Sequence, residues 1–478
     1  MSRELVVLVT LIAYKAVLVA IGLLARGRNR DAADFYLAGR DLGPAVAALS
    51  ASASSSSAWT LLGVSGMAYA SGLSAVWLFP ACVGGFVINW FVLAPNLRRL
   101  SRASGAITAT DVVAGAPGRP LRRTVSTIAS VIILSSLLTY VATQFQGAGK
   151  SFSETFGLDD TASILIGAAV VVFYTMVGGF WAVSLTDTLQ GLVMAVVTLL
   201  LPVAALLAIG PSELVTGLRQ VPVDGYLSLT RDAGPVAGAG FLLGLLGIGL
   251  GYPGQPHVVN RFMALRGERE VAVARRIAVA WAVVVYAGMT LLGLCARVLY
   301  PEVADPEKAF LTAANGLFPP VVAGVMVAAV LSAVMSTADS QLLVAASTVN
   351  HDLGLGRGRA DRVRSARLVV LLLSLGAVAA AVFGEASIFR KVLFAWSSMG
   401  CAFGPLLLVT ALCGPVRPGA TVAAMVTGFS LSVGAYAARQ AGELAAWAGV
   451  WERVIPFALA LAIAWLGRDK EAVADSAG

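Results

Sequence analysis

The chain has 478 residues, of which 58% are hydrophobic and only 13% charged. A soluble globular protein does not carry so apolar a composition, so the sequence reads as an all-α polytopic membrane protein embedded in a lipid bilayer. The net charge of +8 is divided among short loops, which argues against a nucleic-acid-binding surface.

In chain order, thirteen apolar segments are expected, at 4–25, 43–70, 73–97, 121–146, 161–180, 186–209, 235–256, 276–300, 319–346, 367–384, 391–414, 419–438 and 449–467. The first follows "MSRELVVLVT", which has neither the basic bias nor the small-residue cleavage site of a removed signal, so it is expected to be retained. Arginines crowd alternate loops: Arg26, Arg28 and Arg30; Arg98, Arg99 and Arg102; Arg261, Arg266 and Arg269; Arg357, Arg359, Arg362 and Arg364. The opposite loops carry scattered acids such as Glu154, Asp159, Glu213, Asp305 and Glu307. The positive-inside rule then places the N-terminus outside and the C-terminus in the cytoplasm of a plasma-membrane protein. Cys82, Cys295, Cys401 and Cys413 lack metal-ligand spacing and read as buried small hydrophobes. No complete phosphate-cradling Gly-x-x-x-x-Gly-Lys-Ser/Thr loop is present, which argues against an ATP-driven pump of that type. The tail "LGRDKEAVADSAG" is too short to fold as a domain.

Two segments are interrupted. Segment 43–70 contains "SASASSSSAW" (50–59), and segment 235–256 ends in "GIGLGYPGQPH", where glycine and proline cannot sustain a regular helix. Freed backbone groups at membrane depth survive only where they line a cavity or are buried in protein. The breaks lie five segments apart, so 43–209 and 235–414 read as two five-helix units. The odd number of helices per unit gives them opposite orientations. Residues 1–42 hold the first span and a loop, and 415–478 the last two spans and the tail. Interrupted helices at matching positions of an inverted repeat mark a transporter binding site. The third helix of each unit is also polar at mid-depth: Thr139, Tyr140, Thr143 and Gln144 in one, and Ser332, Ser336, Thr337, Asp339 and Ser340 in the other.

The spacing of Ser332, Ser336, Asp339 and Ser340 puts them on one helix face. Hydroxyls and carbonyls suit Na⁺, while serine alone is more often a packing residue between membrane helices. A mid-span carboxylate costs ~2.5–3.5 kcal/mol on insertion scales, which makes Asp339 a functional residue by default. Asp187, followed by Gln190, fits a helix-capping pair or an ion ligand, and the two are compatible. Lys15 is expected to be peripheral, snorkelling or paired locally. Arg297 sits near a span end. His257 is expected at the membrane edge as a cap or gate contact.

Four stretches, "DFYLAGRDLG" (34–43), "YTMVGGFWAVSLTDTLQG" (174–191), "GLGYPGQPHVVNRFMA" (249–264) and "SAVMSTADSQLL" (332–343), resemble the sodium/solute symporter family, most of all its sodium/proline branch. The resemblance covers nearly the whole chain in the expected order. It implies a leucine-transporter-type fold with alternating access. It also implies a Na⁺ site of Ala53, Ser56 and Ala333 carbonyls with Ser336 and Thr337 hydroxyls. A second cation site would use Asp187, Ser336, Asp339 and Ser340. The substrate pocket would use Ser55, Ser57, Ala58, Thr60, Tyr140, Gln144, Tyr252 and Pro256. The proline branch has an aspartate where this chain has Ser55, and an aromatic where it has Ile248.

The function expected is Na⁺-driven symport of a small organic solute, an amino acid such as proline. Another small carboxylate or osmolyte is the alternative, and a transporter-like solute sensor a third reading. An enzyme is disfavoured because no nucleophile–base or metal pair is visible. The sequence offers no sign of an obligate protein partner.

Overall fold

Prolines start six of the helices. Pro44, Pro211, Pro235, Pro256, Pro320 and Pro418 each stand in the first helical turn, where the missing N–H costs nothing. In the computed structural model, residues 2–25, 37–175, 180–355, 359–385, 387–441 and 447–469 are described. Arg26, Arg28, Arg30 and Arg357, the side chains of Arg359 and Arg362, and parts of two quoted motifs (34–36 and 176–179) lie outside the described residues.

The helices are α1 (Arg3–Ala25), α2 (Pro44–Ser55), α3 (Val64–Ser71), α4 (Leu78–Val87), α5 (Ala94–Ser104), α6 (Ala109–Ala114), α7 (Arg122–Phe156), α8 (Asp160–Thr175) and α9 (Phe180–Ile209). They continue with α10 (Pro211–Arg219), α11 (Pro235–Leu246), α12 (Pro256–Met263), α13 (Glu268–Leu299), α14 (Ala309–Leu317) and α15 (Pro320–Ser347). The last four are α16 (Arg359–Phe383), α17 (Ile388–Cys413), α18 (Pro418–Gln440) and α19 (Ile455–Leu466). Among the described residues there is no strand, only two isolated β-bridges.

Ten helical stretches among the described residues are long and apolar enough to cross a membrane. One of them, Trp59–Ser104, takes in parts of two expected segments, and the last expected segment is a short π turn followed by the 12-residue α19. α15 and α17 are buried along most of their length, whereas α1, α16 and α18 present more of their surface outward. Both expected interruptions are present. α2 ends at Ser55 and a π turn, Trp59–Gly63, leads into α3. α11 gives way at Gly247 to a 3-10 stretch that runs to Gly254, and α12 restarts at Pro256.

The arginine-rich side is tied together by polar contacts. Arg98 and Arg102 donate to the carbonyls of Leu265 and Arg266 just beyond α12. Asp111 of α6 meets Arg122 of α7 and His351 beyond α15, each at 2.8 Å. Burial pushes the Asp111 carboxyl up, but His351, the Ile107 amide and Arg122 together hold it below its ordinary value.

Candidate functional site

The first break places backbone carbonyls against α15. Ser56 leaves helical geometry (φ −116°, ψ 85°), so the last turn of α2 lacks its continuation. Ser336 Oγ donates to Ala53 O at 3.1 Å and to Ala333 O at 3.3 Å, and Thr337 Oγ1 donates to Ser54 O at 3.2 Å. Three of the five expected Na⁺ ligands, Ala53, Ala333 and Ser336, are thereby joined, while Thr337 binds the neighbouring Ser54 carbonyl. Ser56 sits at the break itself, its amide on Ala53 O at 3.2 Å. All five are fully buried. This dense set of neutral oxygens between two helices suits a hard monovalent cation, toward which the hydroxyls can turn their lone pairs.

One helical turn away, the Arg261 guanidinium binds two of the four residues expected at the second cation site, Asp187 and Ser340. Arg261 Nη2 donates to Asp187 Oδ2 at 3.0 Å and to Ser340 Oγ at 2.6 Å, while Nε reaches Ser50 Oγ at 3.1 Å. Ser50 and Ser54 hydroxyls also donate to Asp187 Oδ2, at 2.8 and 3.1 Å, and Ser54 Oγ lies 2.9 Å from Ser340 Oγ. Asp339 is fully buried.

Four expectations are corrected here. Arg261 is not a loop arginine. It is 1% exposed, within α12, because Pro256 restarts the helix earlier than the charge pattern suggested. Asp187 is not a helix cap, since α9 begins at Phe180 and its carboxylate is bound across helices. His257 is not at the membrane edge, being fully buried with its ring edge-on to Tyr140 at 6.0 Å. Lys15 is not peripheral, for its ammonium touches Met335 Sδ on α15.

The expected substrate residues form two groups. Around the first break, Gln144 Oε1 accepts the freed Ala58 amide at 3.1 Å and Tyr140 Oη donates to Ser57 Oγ at 3.4 Å. Ser55 instead turns back to Ser52 O at 3.0 Å, and Thr60 is buried in the π turn. Around the second break, Tyr252 Oη lies 2.8 Å from Tyr286 Oη, and Pro256 is buried at the start of α12. Trp396 of α17 joins the groups: its ring is edge-on to Tyr252 at 4.7 Å and to Tyr140 at 6.4 Å, and Nε1 donates to Ile248 O at 3.2 Å. Gly251 permits this, since a Cβ there would sit 2.2 Å from Trp396 Nε1.

Trp59, Phe86, Tyr286, Phe389 and Trp396 were not expected at the site. Trp59 stacks on Phe389 at 5.6 Å, and Phe86 packs on Tyr252 at 5.2 Å. Phe389 also lines a cavity of about 520 Å³ on the side of the acidic loops, together with Lys150, Asp305, Glu307 and Arg231. The Trp59–Phe389 stack therefore stands between that cavity and the first break. No local pattern announces these rings, because helices distant in sequence bring them together. Arg261 did have a signal, a basic residue one helical turn after His257 and just past the second break.

A family model described as "Sodium:solute symporter family" matches residues 35–428. The osmoregulated proline transporter OpuE of Bacillus subtilis (strain 168) is 34% identical over 438 residues, which are 90% of this chain and 88% of that protein. A sodium/proline symporter of Salmonella typhimurium is 33% identical over 436 residues, 88% of this chain and 86% of that one. Among solved structures, a substrate-bound, outward-open Na⁺-coupled sialic acid symporter superimposes with a TM-score of 0.76 at 18% identity, covering 96% of this chain and 97% of its own. MhsT in complex with L-phenylalanine gives 0.53 at 14% identity, covering 88% and 98%. These likenesses carry the leucine-transporter-type fold expected from the paired breaks. With its two interrupted helices and its hydroxyl–carbonyl seam, the chain belongs to the sodium:solute symporter family, and it is a Na⁺-coupled membrane carrier of small solutes rather than an enzyme.

Proposed function

We propose that the carrier couples Na⁺ entry to uptake of a small zwitterionic amino acid, proline foremost, with its N-terminus outside and its C-terminus in the cytoplasm. The observation that carries the ion site is the meeting of the Ser336 and Thr337 hydroxyls with the Ala53 and Ser54 carbonyls. Na⁺ there would be held by Ala53, Ser56 and Ala333 carbonyls with those two hydroxyls, and would bridge α2 to α15. Solute would lie against the same break, between Ser55, Ser57, Ala58, Thr60, Tyr140 and Gln144 on one side and Tyr252 and Pro256 on the other. An ion and a solute that both favour one arrangement of these helices increase each other's affinity, which is the coupling.

Relatives named as proline transporters at 33–34% identity support proline. The arginines at Arg98, Arg99, Arg102 and Arg266, gathered on one side, support the orientation. Ser55 and Ile248, where the proline branch has an aspartate and an aromatic, favour a second reading: a different small carboxylate or a neutral osmolyte.

The test is uptake into proteoliposomes under an inward Na⁺ gradient, with L-proline compared against other amino acids, small carboxylates and betaine-like osmolytes. Na⁺-dependent proline accumulation is expected. Accumulation of a carboxylate or osmolyte without proline would establish the second reading, and solute binding with neither net uptake nor counterflow would point to a sensor.

A further inference from the structure

The first helix lies outside the two five-helix units, and Leu5, Leu8, Val9, Ile12 and Val17 on it are exposed. Its inner face, however, packs on α15 and α9 and carries two polar groups. Tyr14 Oη lies 2.6 Å from Ser332 Oγ, and the Lys15 ammonium touches Met335 Sδ, with the neighbouring Tyr14 ring 5.6 Å away. Ser332, Met335 and Asp339 follow one another at three and four residues, so they share a face of α15. Asp339 is therefore one turn, ~6 Å, beyond the atom that Lys15 touches.

Neither group is satisfied where it stands. A thioether is a weak acceptor and cannot balance an ammonium. Asp339 is fully buried, and the Ser340 hydroxyl beside it is shared with Arg261 and Ser54. The flexible lysine stem can span a turn, which brings its ammonium within reach of the carboxylate. Arg261, on the other side of Asp339, is committed to Asp187. Four ionisable groups then share one region, the acids Asp187 and Asp339 and the bases Arg261 and Lys15.

We propose that Lys15 is the standing counter-cation of Asp339, so that the chain's own ammonium fills the position a second Na⁺ would take and the first helix belongs to the coupling machinery. Lys15 is on this account a positioning residue that sets the charge seen by the ion site at Ser336 and Thr337. The inference rests on the ion site proposed above, and its test is chosen to be independent of the solute.

Radioactive Na⁺ bound per purified carrier, without solute, is measured for wild type, Lys15→Met, Asp339→Asn and the double variant. Wild type is expected to bind one Na⁺. Lys15→Met leaves Asp339 uncompensated and is expected to bind two, while Asp339→Asn leaves an extra positive charge and weakens Na⁺ binding ~tenfold. The double variant is expected to return to one Na⁺ with near-wild-type affinity, a rescue that a merely structural lysine would not produce. Two Na⁺ on wild type, or one on Lys15→Met, would overturn the proposal. Should Lys15→Met fail to assemble, recovery of yield in the double variant supports the pair, and failure of both variants contradicts it. Absence of Na⁺ on wild type would count against the ion site itself, and the pair is then decided by the same comparison of yields.

Discussion

The two interrupted helices are broken by different means and serve different ends. The first is broken by a run of small residues with hydroxyls, and its carbonyls meet the Ser336 and Thr337 hydroxyls of α15. The second is broken by glycine and proline, and its backbone is sealed by aromatic rings, with Trp396 against Gly251 and Tyr252 between Phe86 and Trp396. Oxygens without large side chains suit an ion. Rings with a few hydroxyls suit a small organic molecule that must be oriented and shielded from water. On the proposed function, the first break serves the ion as well as one side of the solute, and the second supplies the aromatic side of the solute pocket.

Arg261 links the regions. It belongs to α12, beyond the second break, yet it binds Asp187 and the Ser50 hydroxyl of the first. Arg261→Gln should have the largest effect of any single change here. It leaves the Asp187 carboxylate buried and unpaired, at a cost of about 3–5 kcal/mol, read as lost thermal stability of the purified carrier. The Arg261→Gln/Asp187→Asn double variant should recover much of that loss. Equal instability of the single and double variants would mean that the two breaks are not joined by charge.

Next in size, Gly251→Ala sharpens the assignment of the second break to shape. Its Cβ has no room beside the Trp396 indole, and overpacking of this kind costs about 1–3 kcal/mol. Solute affinity should fall while Na⁺ binding without solute stays unchanged. A loss of Na⁺ binding instead would merge the two roles.

The smallest effect is expected of Tyr252→Phe, which removes one hydroxyl of the Tyr252–Tyr286 pair. About 0.5–1.5 kcal/mol, a few-fold in solute affinity, is expected. No change in solute binding, measured by isothermal titration with the transported solute, would take the Tyr252 hydroxyl out of the pocket.

Both breaks were legible in the sequence because their causes are local: glycine and proline density in one, small polar residues in the other. The stripe of Ser332, Ser336, Asp339 and Ser340 was legible for the same reason, since helical periodicity alone puts those residues on one face. Arg261 was misread because net loop charge, not helix register, was used to place it. Pro256 gave the register, and a helix restarted at that residue buries position 261. Of the two readings of Asp187, the cap fails because the apolar run suggested a helix start near 186, whereas hydrogen bonding carries the helix back to Phe180. The rings of Trp59, Phe389 and Trp396 had no local signature. Their meaning comes from the crossing of helices more than a hundred residues apart, and sequence periodicity carries no information about such crossings.

The central claim is that Na⁺ is held between the first break and α15, and one measurement tests it directly: Na⁺-dependent thermal stabilisation of the purified carrier, without solute, in wild type and in Ser336→Ala/Thr337→Ala. Wild type should be stabilised saturably by Na⁺ and not by K⁺. The double variant removes two oxygen ligands with little change in volume, so it should stay folded and need roughly a hundredfold more Na⁺ for the same stabilisation, as two ligands worth about 1.4 kcal/mol each would require. An unchanged Na⁺ dependence in a folded double variant would contradict the account.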